Sequence, residues 1–169
     1  MREYLLLLPI IFIFHDMEEI VGFGWFFRNN TWLFDKYPRA TGMYRDSSEM
    51  AWKMGVYEEF VPFFGVSLWA YYYPSDVLYA IWFGFFLDLT AHFIVHILFS
   101  IVIKKYIPSL ITSILCLPVS VLILYKCSQV MAFDGMTVFF ILIGILLILA
   151  NFAFLMWFIP FLSKKNLLT

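Results

Sequence analysis

Residues 77–103 read VLYAIWFGFFLDLTAHFIVHILFSIVI. The stretch holds no Lys or Arg, and as a helix it rises about 40 Å. That exceeds the ~30 Å hydrocarbon core of a bilayer, so the stretch predicts a membrane-spanning helix. Its charged or readily ionised side chains are Asp88, His92 and His96. Their i, i+4, i+8 spacing puts all three on one helical face. A charge at the bilayer centre costs about 2.5–3.5 kcal/mol even on the lenient insertion scale. Such groups mark a functional site by default, and other runs of the chain repeat the pattern.

Residues 4–27 form a second apolar run, interrupted by His15, Asp16, Glu18 and Glu19. Residues 51–73 form a third, interrupted by Glu58 and Glu59. Runs over 107–125 and 136–162 carry no such cluster. The expected fold is therefore all-α, a polytopic bundle of five transmembrane helices in one domain over residues 1–169. Residues 28–50, rich in aromatic and basic side chains, suit a segment lying at the membrane interface. Asp46, followed three residues later by Glu49, predicts the N-cap of the helix over 51–73. Tyr73–Asp76 and Asp134–Gly135 predict turns. Trp32, Trp52, Trp69, Trp82 and Tyr71–Tyr73 fit an aromatic belt.

Composition agrees. Of 169 residues, 63% are hydrophobic and only 14% charged, far from the usage of a soluble domain. Mean hydropathy is +0.88. A net charge of −1 gives no reason to expect a nucleic-acid partner. Cys116 and Cys127 have no CxxC or zinc-type spacing and read as buried thiols. In the five-span layout, nine of the Lys and Arg residues, Lys165 among them, fall on one side, against Arg2 and Lys126 on the other. The positive-inside rule then puts the N-terminus outside and the C-terminus in the cytoplasm. The first run has no cleavage site and is expected to be a retained helix. A multi-pass protein of a prokaryotic plasma membrane is the expected setting, and an oligomer is left open.

Depth brings the ionisable groups together. From the outer face, His15 and Glu19 fall at about 16 and 22 Å, and Asp88, His92 and His96 at about 16, 22 and 28 Å. Glu58 falls at about 20 Å. Three or four unpaired carboxylates there would cost about 10 kcal/mol, so protons, histidines, water or a metal must offset them. Facing stripes of carboxylates and imidazoles are how helical bundles build metal sites. His15, Glu19, Glu58, Glu59, Asp88, His92 and His96 are the candidate ligands. Glu18, Glu19 and Glu58 are the candidate catalytic acids and bases. Asp16 points about 100° away from His15 and is left outside the set. Pro62 frees the backbone carbonyl of Glu58 beside the cluster. Gly22 and Gly24 permit close helix approach.

His15-Asp16-Met17-Glu18-Glu19 resembles the motif of the HXXEE domain family of integral membrane proteins. Glu58–Glu59 and His92-x-x-x-His96 are similar to that family's arrangement. The resemblance implies architecture and a metal site but no reaction, because the family's function is uncharacterised. The ligand types suit a divalent metal, zinc first, with iron or manganese as the other candidates. The expected function is an intramembrane metal-dependent enzyme, hydrolase or oxidase in type, acting on a membrane lipid or other apolar substrate. Three alternatives use the same residues: a metal-free acid/base isomerase-like lipid enzyme, a proton-coupled transporter, or a structural protein with a buried polar network.

Overall fold

The computed structural model describes residues 1–164, and among them every regular element is helical. Lys165, used in the charge count above, lies outside the described residues. A 3-10 turn (Arg2–Tyr4) precedes α1 (Leu7–Arg28). Two short helices follow, α2 (Trp32–Lys36) and α3 (Pro38–Arg45), and then α4 (Glu49–Tyr72). Three long helices complete the chain: α5 (Asp76–Ile103), α6 (Leu110–Ser128) and α7 (Gly135–Lys164).

Among the described residues, α5, α6 and α7 are long and apolar enough to cross a membrane. The most apolar stretch of α7 has a mean hydropathy of 2.9, yet only 22% of it is buried inside the protein. Apolar surface left outside a fold calls for an apolar surrounding. Helices α1 and α4, 22 and 24 residues long, have spanning length as well. Their buried and half-buried acids hold them below the apolarity of the other three.

The helix ends follow local chemistry. Ser48 and not Asp46 caps α4, its hydroxyl accepting from Ala51 N at 3.1 Å. Asp46 instead ends α3 and pairs with Arg45 at 2.8 Å. Ser75 caps α5 by accepting from Leu78 N. Asp134 caps α7 by accepting from Thr137 N at 2.8 Å. Helix α6 begins at Leu110 and not at 107, because Pro108 precedes a Ser109 with φ of 93°. The segment over 28–50 is mostly helical, held by Asn29 and Asn30, whose amides donate to Trp25 O and Phe26 O.

Helix α5 is the central member and packs against α4, α6 and α7, while α1 packs against α4 and α6. At the α5–α7 crossing, Gly84 and Gly144 bring backbone against backbone. A Cβ on Gly84 would collide with Ile141 O, and one on Gly144 with Ile81 O. Gly22 and Gly24 do serve close approach, but to Pro108 and to the Glu49 carboxylate and not to a helix backbone. Trp82 is fully buried and donates to Leu5 O at 3.0 Å, so it belongs to the core and not to an aromatic belt. Cys116 and Cys127 are buried free thiols. Two apolar clusters result, one around Phe12, Phe63, Phe86 and Phe93, the other around Phe23, Phe26, Trp52 and Ile159. Between Phe12 and Phe23 on α1 lie His15 and Glu19.

Candidate metal centre

Four side chains from two helices converge in that polar layer. His15 and Glu19 come from α1, one turn apart, and His92 and His96 from α5, also one turn apart. Each offers a donor atom, and the four donors lie within 4.8 Å of one another. Glu19 Oε1 is the focus. It stands 2.9 Å from His96 Nε2, 3.6 Å from His15 Nε2 and 3.9 Å from His92 Nε2. His92 Nε2 and His96 Nε2 are 2.7 Å apart, with their rings nearly perpendicular at 85°. His15 is fully buried and Glu19 is 6% exposed, whereas the His92 side chain is 39% exposed. The cluster therefore opens on the His92 side.

Glu19 Oε1 pairs with His96 Nε2 at 2.9 Å, while His15 Nε2, 3.6 Å from Glu19 Oε1, makes no close hydrogen bond among the described residues. Buried polar atoms are almost always well satisfied, so one carboxylate oxygen shared among three imidazoles needs an explanation. A cation supplies one. Zinc bonds nitrogen and oxygen at about 2.0–2.1 Å, which sets tetrahedral donor–donor edges at about 3.3 Å. Four of the donor separations, 2.7, 2.9, 3.6 and 3.9 Å, straddle that value, and all lie within 4.8 Å. The donor types and their convergence thus fit a divalent metal, the side chains drawing in by up to about an ångström to reach it.

The far side of His15 fixes its proton. His15 Nδ1 lies 3.1 Å from Thr112 Oγ1. The Thr112 hydroxyl has one proton, and its shortest acceptor is Glu18 Oε2 at 2.7 Å. A charge-assisted bond of that length takes the proton. Thr112 Oγ1 must then accept from His15 Nδ1–H, which leaves Nε2 with its lone pair toward the cluster. This is the outer-shell arrangement that orients metal-bound imidazoles.

Glu18 is held outside the donor set. Its carboxylate accepts from Thr112 N at 2.8 Å, Ile111 N at 3.4 Å and Tyr106 Oη at 2.5 Å. These amides belong to the first turn of α6, where four N–H groups lack intrahelical partners and negative charge is favoured. Ser109, the residue at the cap position, makes no side-chain cap, so Glu18 of α1 caps α6 in its place. Burial and the Glu18 carboxylate push the Tyr106 phenol up to about 12.

The remaining candidates lie around the four donors without joining them. Glu58 turns toward α7 and accepts from Asn151 Nδ2 at 3.1 Å. Glu59 is half-buried on α4, in electrostatic range of Glu19 and Asp88. Asp88 is half-buried one turn before His92, the charge it feels most. Asp16, left outside by helical angle, is 4% exposed, and its Oδ1 lies 3.9 Å from His15 Nε2. Tyr44 on α3 approaches the cluster across Phe23. Burial, and then the charges of Glu19, Glu59 and Asp16, hold its phenol well above the ordinary value. Sequence reasoning did not identify Thr112, Tyr106 or Tyr44, because only the packing of α6 and α3 against α1 gives them a role.

The sequence model of a family described as a protein of unknown function with HXXEE motif matches residues 6–123. That span begins just before α1, contains all four donors and ends inside α6. No curated protein matches the chain. No solved structure matches it.

Proposed function

The chain belongs to the HXXEE family, and from that premise we propose an intramembrane metal-dependent enzyme acting on a lipid or other apolar substrate. The observation that carries this reading is the convergence of donor atoms from His15, Glu19, His92 and His96, all within 4.8 Å of one another. In this reading α1 and α4 cross the membrane with α5, α6 and α7. The N-terminus is then outside and the basic 28–50 segment cytoplasmic.

His15, Glu19, His92 and His96 hold the metal, with zinc first and iron or manganese as alternatives. Such an ion polarises a substrate oxygen and makes water acidic enough to attack at neutral pH. The chain's own groups do the rest. Thr112 and Glu18 hold the His15 ring in one tautomer. Phe93, with its ring centroid 4.7 Å from that of His15, keeps water off the buried side. Asp16 lies next to the donors and is the carboxylate placed to take up a proton. The half-exposed His92 is the open edge of the donor set.

A second reading rests on a different observation. Four protein donors close a tetrahedral site, as in structural zinc centres. The four donors join α1 to α5 beside the apolar packing that Phe12 and Phe93 share in one cluster. The metal would then clamp α1 to α5.

Elemental analysis of detergent-purified protein tests the metal itself. About one equivalent is expected, lost in a His92→Ala/His96→Ala variant. No metal in the wild type, even after reconstitution with zinc, iron and manganese, would overturn both readings. Chelation separates them: a clamp loses thermal stability sharply, while a catalytic centre loses turnover first.

A further inference from the structure

A cavity of about 300 Å³ lies between the end of α1, the interfacial α2–α3 segment and the start of α4. Its inner wall is aromatic: Phe23, Tyr44 and Trp52 pack edge to face, with centroids 5.1–5.9 Å apart. Behind that wall is the metal centre, since the Phe23 ring is 6.4 Å from the ring of His96. The cavity is thus the chamber next to the four donors on the interfacial side.

Its rim carries charge. Arg28 Nη1 contacts Glu49 Oε2 at 2.6 Å, and Lys53 Nζ contacts Glu49 Oε1 at 2.7 Å, so one carboxylate serves two cations. Arg45 binds Asp46 through Nε and Nη2 at 2.8 and 2.9 Å. Arg28, Lys53 and Arg45 thus stand against Glu49 and Asp46, with Asp35 of α2 also in electrostatic range of Arg45. The Arg45 pair is exposed, and exposed pairs contribute little and exchange readily for a better acceptor. A planar guanidinium matches phosphate oxygens with two parallel bonds. Ser47 Oγ, also in the lining, is buried with no hydrogen-bond partner among the described residues. The volume admits a headgroup and its ester region, leaving acyl chains to the bilayer.

We propose that this cavity binds the phosphate of a glycerophospholipid between Arg28 and Arg45, bringing the lipid's polar region to the aromatic wall in front of His96. The inference rests on the lipid-enzyme reading and names its substrate class. A membrane phospholipid is the natural source, because the guanidinium groups of Arg28 and Arg45 line the cavity.

The test titrates detergent-solubilised protein with dioctanoyl phosphatidylglycerol and counts bound lipid by native mass spectrometry. Dioctanoylglycerol, which lacks the phosphate, and inorganic phosphate serve as comparison ligands. Wild type is expected to bind the phospholipid about tenfold or more tighter than dioctanoylglycerol, because a charge-assisted bond is lost without the phosphate. Arg45→Gln, at an exposed position, is expected to weaken binding about tenfold with metal content unchanged. Arg28→Gln should act in the same direction. Equal binding of the two lipids, or unchanged binding in both variants, would overturn the proposal. Inorganic phosphate binding as tightly as the lipid would also overturn it, in favour of a free-anion site. Phospholipid binding that persists in the metal-free His92→Ala/His96→Ala protein shows that this inference and the metal reading stand or fall separately.

Discussion

Thr112→Val replaces the hydroxyl beside His15 with a methyl of the same shape. The backbone bond from residue 112 to Glu18 at 2.8 Å is unaffected, so the cap on α6 survives. What is lost is the acceptor 3.1 Å from His15 Nδ1 and the donor to Glu18 Oε2. His15 is fully buried, so its Nδ1–H has no water to turn to. Leaving a buried donor unsatisfied costs about 1–3 kcal/mol. The imidazole escapes part of that cost by moving its proton to Nε2, but this removes the lone pair the metal requires. Either way, binding weakens by about 10–100-fold, the usual effect of removing an outer-shell partner. The assay is competition for zinc between the purified protein and a chromophoric chelator, with thermal melting in the same detergent as a control for folding. Thr112→Ser restores the hydroxyl and should return affinity to within a few-fold of wild type. Wild-type affinity in Thr112→Val would refute the tautomer argument and, with it, the assignment of Nε2 as the ligand atom.

The other expectations are more local. Glu19→Gln should reduce bound metal below detection by elemental analysis, whereas Glu58→Gln, at a residue bonded to Asn151 and not to the cluster, should leave it intact; matched losses would show that the donor set is wrongly drawn. Gly84→Ala forces a Cβ against Ile141 O and should destabilise the α5–α7 crossing by about 1–3 kcal/mol, seen as a lower melting temperature in detergent. An unchanged melting temperature would mean that the two helices do not cross so closely. Asp134 carries a carboxyl lowered by the Thr137 amide it accepts from, so its stabilisation of α7 is present above the ordinary value of 3.8 and fades as pH falls through the lower folded value. Asp134→Ala should remove that pH dependence and lower the melting temperature slightly, checked by thermal melts at several pH values.

Much of the site was legible because helical period is a one-dimensional quantity. His15 and Glu19 share a face by their i, i+4 spacing, as do His92 and His96. Those two facts suffice to bring four donors together once the helices face each other. Glu18 shows where spacing stops being informative. It neighbours Glu19 in sequence and is one turn from His15, yet a rotation of about 100° per residue aims it at α6. Asp16 shows the reverse, buried beside His15 although angle alone excluded it. Asp46 and Ser48 compete for one cap, and the pairing of Asp46 with Arg45 settles it.

By itself, the sequence determined the helical class, the long apolar helices α5, α6 and α7, and the two polar stripes on α1 and α5, because hydrophobicity and helical period are carried by each segment alone. Tertiary structure decided which acids meet the histidines. It sent Glu58 to Asn151 on α7 and Glu18 to the open amides of α6. It placed Thr112 behind His15 and set the Phe23–Tyr44–Trp52 wall between the donors and the cavity beside α2 and α3. A carboxylate's role in a low-dielectric interior depends on the nearest donor, and that donor, in each of these cases, belongs to a different helix.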